Sequence, residues 1–335
     1  MANLRAGLVG LGMMGRHHGR VLGSLEGVDL VGVADADGDP HGVASGRPLL
    51  RDVEELIALG LDYCVVAVPT IHHEPVAMAL AEAGIHALIE KPVTHDGPSA
   101  RRVAEAFTSR GLIGGVGHIE RYNPALQSAR ARIAAGELGT VYQVTTRRQG
   151  PFPARIADVG VVKDLATHDI DLTAWVTQRD FTSIGAHTVF TSGREHEDLV
   201  AATGQLADGT ATNHLVNWLS PLKERVTTIT GEKGAFVADT LTADLTLYVN
   251  GSVRVTRDEI AQFRGVSEGD VIRFAIAKPE PLRVEHENFR DAVLGKPADI
   301  VTLEQGMATL AVAEAMIESA NTGRTVAIAH RPQRA

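Results

Sequence analysis

The sequence predicts an α/β protein in two parts: a doubly wound parallel sheet of the Rossmann type over residues 1–121, then an α+β domain with a large, mainly antiparallel sheet over 122–335. Three observations predict it. Through the first third, apolar strand-like runs alternate with helical stretches. A glycine-rich turn joins the first of those runs to the first helix. Beyond residue 120, strands of alternating polarity separated by hairpin breaks replace that rhythm.

The strand-like runs of the first part are RAGLVG, VDLVGVAD, DYCVVAVP, HALIE and LIGGVGH. Between them lie helical stretches such as MGRHHGRVLGSL, EPVAMALAEAG and SARRVAEAFTSRG, with Gly84 and Gly111 as stops. In the second part the helix NPALQSARARIAAGELG leads to the strand TVYQVTTRRQG and then to a helix over KDLATHDID, Lys163 to Asp171. Strands follow, and ADGT between two alternating runs marks a hairpin. The helices VEHENFRDAVLGK and LEQGMATLAVAEAMIESANTG close the chain, the last ending on Gly323.

Composition narrows the function classes. The 335 residues carry 32 Lys and Arg against 41 Asp and Glu, a net charge of −9, with no basic block, so nucleic acid is not an expected partner. No run approaches the roughly 20 apolar residues of a membrane span. The N-terminal stretch lacks the charged leader and cleavage pattern of a signal peptide. The one cysteine, Cys64, lies in an apolar run and forms no internal disulfide, which suits a cytoplasmic protein. The adjacent histidines of RHHGR and TIHHEP point in different directions, and no metal site is expected.

Five segments carry chemistry. GLGMMG places Gly10, Gly12 and Gly15, with Met13 and Met14 between, after a strand and at the start of a helix, where backbone N–H groups hold a pyrophosphate. Asp35, at the end of the next strand, can accept both adenosine ribose hydroxyls and repels a 2′-phosphate, so NAD is the expected cofactor rather than NADP. In VAVPTIHHEP, Val68, Thr70 and His73 follow a buried strand at the ligand-binding edge; Thr70 and His73 serve equally as cofactor contacts or as caps of the next helix. LIEKPVTH puts Glu90 and Lys91 at the end of the fifth strand, with Lys91 aimed at the same crevice. On the KDLATHDID helix, Asp164 and His168 lie one turn apart and Asp171 one turn further, beside an apolar stripe of Val161, Leu165, Leu172 and Val176. A hydrogen-bonded core histidine partnered by Asp164 is the competing reading of that helix.

These motifs, with GHIERYNP, resemble in order and spacing the glucose-fructose oxidoreductase, inositol dehydrogenase and MocA (Gfo/Idh/MocA) superfamily over the whole chain. The combination of EKP with D-x-x-x-H carries most of the resemblance. It implies that Lys91, Asp164 and His168 surround the nicotinamide and the reacting sugar carbon, the first domain supplying cofactor and Lys91 and the second its Asp164/His168 helix. It also implies a homodimer or homotetramer.

The run RRQGPFPARIADVGVVKDLATHDIDL looks most like the nucleotide-sugar branch, the UDP-N-acetylglucosamine 3-dehydrogenase type, because a single Gly160 stands where simple polyol dehydrogenases have GGG. Arg147, Arg148, Arg155 and Lys163 are candidates to hold a pyrophosphate, Arg155 foremost; on a strand, at least one of Arg147 and Arg148 faces away. Arg121, Tyr122 and Asn123 are candidates for sugar contacts, although Asn123 before Pro124 also reads as a helix cap. The expected activity is hydride transfer between C3 of a UDP-N-acetylhexosamine, or its uronate, and NAD. The alternatives are a free polyol or inositol dehydrogenase, a dTDP-3-ketosugar reductase, or a non-catalytic dinucleotide-sensing regulatory protein.

Overall fold

The computed structural model describes residues 3–152, 159–251 and 267–328. The chain forms two compact units, one of Met1–Ile119 with Glu280–Ala311, the other of Glu120–Pro279 with Val312–Ala335.

The first unit is built on six parallel strands: β1 (Leu4–Val9), β2 (Val28–Ala34), β3 (Leu49–Leu50), β4 (Tyr63–Val66), β5 (His86–Glu90) and β6 (Gly114–Gly117). Their order is β3-β2-β1-β4-β5-β6, the doubly wound arrangement expected. All four residues of β4 are fully buried, as in a strand covered on both faces. One face packs Leu8, Leu22, Val65 and Phe289; the other packs Val66, Leu80, Ile89 and Phe107. The helices are α1 (Met13–Leu22), α2 (Val53–Ile57), α3 (His73–Glu82) and α4 (Gly97–Ser109). Asp52 and Asp96 cap α2 and α4 by accepting the backbone N–H of Glu55 and Ser99. The two-residue β3 is too short for its own periodic signal.

The division differs from the expected one near the C-terminus. Helix α7 (Pro281–Val293) and the segment after it belong to the first unit, not to the second domain. Phe289 packs on Tyr63 with ring centroids 5.5 Å apart, Arg20 pairs with Glu280, and Arg283 donates to Ser24 Oγ at 2.7 Å. Val116 of β6 then donates to Val301 O at 2.9 Å. An apolar helix stripe demands burial but does not name the sheet that provides it.

In the second unit nine strands, β7 (Val141–Pro151), β8 (Phe181–Val189), β9 (Leu199–Leu206), β10 (Ala211–Asn217), β11 (Leu219–Gly231), β12 (Gly234–Asp239), β13 (Asp244–Gly251), β14 (Ser267–Arg273) and β15 (Val326–Ala327), lie in the order β14-β13-β12-β11-β7-β10-β9-β8-β15, and among the described residues only β10 with β7 runs parallel. The ADGT hairpin is present between β9 (Leu199–Leu206) and β10 (Ala211–Asn217), with Gly209 at φ +89°. Helices α5 (Pro124–Ala134) and α6 (Thr167–Thr177) share a core with Val144 of β7 (Val141–Pro151), Ile229 and Phe236. The end of α8 (Leu303–Thr322) packs Val312 and Met316 with Val200 and Val216.

The chain enters α6 through a wide π turn, Val162–Ala166. Glu197 holds that entrance: its carbonyl accepts Val161 N–H at 3.0 Å and its Oε1 accepts Val162 N–H at 2.9 Å. A carboxylate at a helix N-terminus also meets the positive end of the helix dipole. Gly160 makes the contact possible, because a Cβ there would stand 2.1 Å from the Glu197 carboxyl group. Asp198, next in the chain, accepts Trp218 Nε1–H at 2.8 Å and the N–H groups of Thr191 and Ser192, each at 2.8 Å. Gly160→Ala is therefore expected to push Glu197 off the Val162 N–H and cost about 1–3 kcal/mol. In a Glu197→Ala background the same change is expected to cost much less, as measured by urea unfolding of the four variants.

Candidate active site

In a parallel sheet every strand ends at the same edge, and β2, β1, β4 and β5 are neighbours. Asp35, the Gly10–Gly15 turn, Val68–Thr70 and Glu90–Lys91 follow or end those four strands, so the first unit collects them at one edge. Gly10 has φ +92°, and a Cβ on it would lie 2.4 Å from the Ala67 carbonyl carbon. A Cβ on Gly15 would lie 1.9 Å from Gly10 O, whereas one on Gly12 would enter open space. Gly12 therefore leaves a cradle at the α1 N-terminus that a side chain would fill, with Met13 exposed and Met14 half-buried beside it. Asp35 Oδ2 accepts Leu11 N–H at 2.6 Å and Oδ1 accepts Asp37 N–H at 2.8 Å. That brace ties the acid to the glycine turn, and each oxygen keeps a second lone pair. The cradle and the acid beside it fit the pyrophosphate and ribose of NAD.

His73 does not cap α3 but begins it: it is 1% exposed, with Nδ1 2.9 Å from Pro92 O and Nε2 3.0 Å from Val68 O. It joins the loop after β4 to the loop after β5. Burial lowers its pKa, against the pull of those carbonyls. Thr70 is also buried, at the start of a 3-10 turn, Thr70–His72. Val68 is half-buried in the loop that His73 holds.

In the second unit Asp164 lies in the π turn and His168 one turn on in α6, which keeps the two on one side of the helix. Asp164 is buried, and His168 is half-buried between the buried Thr167 and Asp169. Val161, Leu172 and Val176 are buried as their stripe predicts, with Leu165 half-buried. Asp171 accepts both Nε–H and Nη2–H of Arg121, at 2.8 and 2.6 Å.

The other expected sugar contacts are also engaged in the fold. Arg121 is 6% and Tyr122 4% exposed. Asn123 caps α5, its Oδ1 accepting Ala125 N–H at 3.1 Å while its Nδ2 donates to Thr240 O at 3.0 Å. All three stand at the start of the second unit, which begins at Glu120. Arg147 and Arg148 point to opposite faces of β7. Arg147 is half-exposed and pairs with Glu224 at 2.6 Å. Lys163 is half-buried. Arg155 lies outside the described residues.

Arg148 is 3% exposed and donates to Asp169 Oδ1 and Glu120 Oε1, each at 3.0 Å; Arg225 lies 3.5 Å from the same Glu120 oxygen. Burial pushes the Asp169 carboxyl up to about 6, despite the Arg148 guanidinium. Burial acts on Glu120 in the same direction but is outweighed by Arg148 and Arg225, which hold that carboxyl below its usual range. Sequence reading missed this network: Glu120, Arg148, Asp169 and Arg225 come from distant stretches, and only Arg148 drew attention, as a substrate contact. Among the described residues there is no cluster that could hold a metal ion, and no helix is long and apolar enough to cross a membrane.

Comparison with known proteins gives a consistent result. Residues 4–118 match the family model "Oxidoreductase family, NAD-binding Rossmann fold", and residues 130–328 match "Oxidoreductase family, C-terminal alpha/beta domain". The chain is similar to a UDP-N-acetylglucosamine 3-dehydrogenase of Acidithiobacillus ferrooxidans, 29% identical over 304 residues covering 88% of this chain and 90% of that protein. A solved structure of the enzyme so named from that organism superposes with a TM-score of 0.82 at 26% identity, covering 96% of this chain and 99% of that one. Inositol 2-dehydrogenase 4 of Saccharopolyspora erythraea is 31% identical over 189 residues, 54% of this chain and 56% of that protein. The structure of GenD2 from gentamicin A biosynthesis in complex with NAD matches with a TM-score of 0.81 at 26% identity, covering 98% of this chain and 97% of that one. With both halves matched in order, the protein belongs to the Gfo/Idh/MocA oxidoreductase family, an NAD-dependent dehydrogenase with an N-terminal Rossmann domain.

Proposed function

We propose that this dehydrogenase transfers hydride between NAD and a secondary alcohol of a nucleotide-linked sugar, C3 of a UDP-N-acetylhexosamine or its uronate. The observation that carries the reaction class is the α6 arrangement: a half-exposed imidazole one turn from a buried carboxylate, while the neighbouring Asp169 and Asp171 are bound by guanidinium groups. The substrate class is supported by the degree of identity among relatives that span most of the chain: the nucleotide-sugar relative is 29% identical over 88% of this chain, and an inositol 2-dehydrogenase of Saccharopolyspora erythraea that covers 98% is 25% identical.

Bound NAD supplies the hydride acceptor. The N–H groups at the start of α1 and the Asp35 carboxylate hold its pyrophosphate and ribose. Oxidation of an alcohol also leaves a hydroxyl proton to be removed, a task suited to an imidazole, and His168 takes this role. Lys91 binds the hydroxyl oxygen through its ammonium and stabilises the negative charge that develops there. Asp164 orients the His168 ring and shares its proton. The reverse reaction uses the same groups with the proton moving from His168 to the oxygen.

Incubation with NAD and a panel of UDP-sugars, dTDP-sugars and free polyols, followed at the reduced-nicotinamide absorbance, is expected to give the highest kcat/KM with a UDP-N-acetylhexosamine or its uronate. A clear preference for free inositol overturns the substrate assignment. Lys91→Met and His168→Ala are expected to keep NAD affinity and lose about 10²-fold or more in turnover. Near-normal rates in both variants would remove their catalytic roles. The double change Asp35→Ser with Ala36→Arg is expected to raise the use of NADP relative to NAD by roughly tenfold or more, since one carboxylate is lost and a guanidinium can pair with a 2′-phosphate. An unaltered preference would show that Asp35 does not meet the ribose.

A further inference from the structure

The first unit contains a buried line of three ionisable side chains that the reaction above does not use. Glu90, at the end of β5, is 8% exposed. Its Oε2 accepts the Lys91 N–H at 3.1 Å, and its Oε1 lies 2.8 Å from Nε2 of His18 on α1. His18 is fully buried, and its Nδ1 lies 2.8 Å from Nε2 of His286 on α7, also fully buried. Gly117 of β6 makes room for the carboxylate, since a Cβ there would already stand 3.3 Å from its Cδ and Oε1.

The hydrogen bonds restrict where the protons sit. A bond between two imidazoles needs one N–H and one lone pair. In the arrangement where Glu90 is the ionised partner and His18 carries one proton, the carboxylate takes the His18 Nε2–H and a lone pair is left at Nδ1. His286 must then donate its Nε2–H, which leaves its Nδ1 bare, and that atom has no hydrogen-bond partner. Burial, with the Arg283 charge, keeps the His286 pKa well below its ordinary value, so this ring stays neutral and can supply that donor. Burial opposes ionisation of Glu90 but is outweighed by the His18 hydrogen bond together with Lys91; the His73 ring of α3 also senses this carboxylate.

We propose that His18 and His286 are positioning residues for Lys91: the α7 imidazole fixes the tautomer of the α1 imidazole, which holds Glu90 as an ionised anchor and counter-charge at the base of the lysine. The same logic applies when a third group orients a catalytic base through its hydrogen bond. The consequence for catalysis rests on the reading that Lys91 meets the substrate hydroxyl; the effect on the lysine itself does not.

The test uses the full chain. Competitive acetylation across pH, read by mass spectrometry of the peptide containing Lys91, measures the proton affinity of that amine without substrate. In His286→Leu the His18 ring is free to flip and turn a lone pair toward Glu90, which then retains a proton and loses its charge. The Lys91 titration midpoint is expected to fall by about half a pH unit or more, as in Glu90→Gln. His286→Gln keeps an N–H donor at the same place and is expected to restore the midpoint. With UDP-N-acetylglucosamine and NAD, His286→Leu is expected to lower kcat about tenfold at unaltered NAD affinity, with no further loss in a Lys91→Met background. A midpoint unmoved in His286→Leu, or moved equally by Leu and Gln with equal losses of melting temperature, overturns the relay and leaves only packing. If the midpoint moves as stated but Lys91→Met turns over normally, the relay stands and the catalytic reading of Lys91 fails.

Discussion

The polarity of a parallel sheet is the constraint on which the cofactor side of this protein depends. Because β2, β1, β4 and β5 are adjacent and run the same way, the chain leaves each of them at one edge. The acid after β2, the glycine turn after β1, the loop after β4 and the lysine after β5 are gathered there, however far apart they stand in sequence. Backbone groups exposed at such an edge need partners, and buried side chains provide several of them. Asp35 braces the glycine turn, and His73 faces carbonyls of both the β4 and β5 loops. Glu90 and His18 tie the base of Lys91 to α1. The edge is thus held by side chains as well as by the sheet beneath it.

The second unit solves a different problem, a helix with three carboxylates within eight residues that also packs into a core. Two of those carboxylates are neutralised by guanidinium groups from other elements: Asp171 by Arg121 and Asp169 by Arg148. Desolvation makes such buried pairs modest contributors to net stability, whereas removal of one partner commonly costs about 3–5 kcal/mol. Their value here is orientation. The bidentate Arg121 pair and the shared Arg148 fix the rotation of α6 about its axis, and that rotation decides what Asp164 and His168 present. Glu197 fixes the other coordinate, where the helix begins.

Arginine carries opposite tasks in this unit. Arg148 is closed in by carboxylates, and Arg147, its neighbour in sequence, is half-exposed and paired to Glu224 on the other side of the strand. The acidic surroundings absorb positive charge that a nucleotide pyrophosphate would otherwise attract. Specificity for a charged substrate therefore cannot be read from a count of cationic residues along this stretch. It depends on which guanidinium groups already have carboxylate partners.

The sequence by itself determined the two fold classes, the glycine turn with its acid, the hairpin at ADGT and the pairing of Asp164 with His168 on one helix side. Each is a local pattern, set by strand and helix periodicity or by steric need within a few residues, and local patterns survive in a linear string. Tertiary structure decided the rest. It sent α7 back to the first unit, made His73 a buried staple and turned Arg121, Tyr122 and Asn123 inward. It also joined Glu120, Arg148, Asp169 and Arg225 into one network and set His18 against His286, 268 positions away. The physical reason is the same in each case. A polar side chain commits to whichever partner long-range packing brings within hydrogen-bond reach, and spacing along the chain carries no record of that partner.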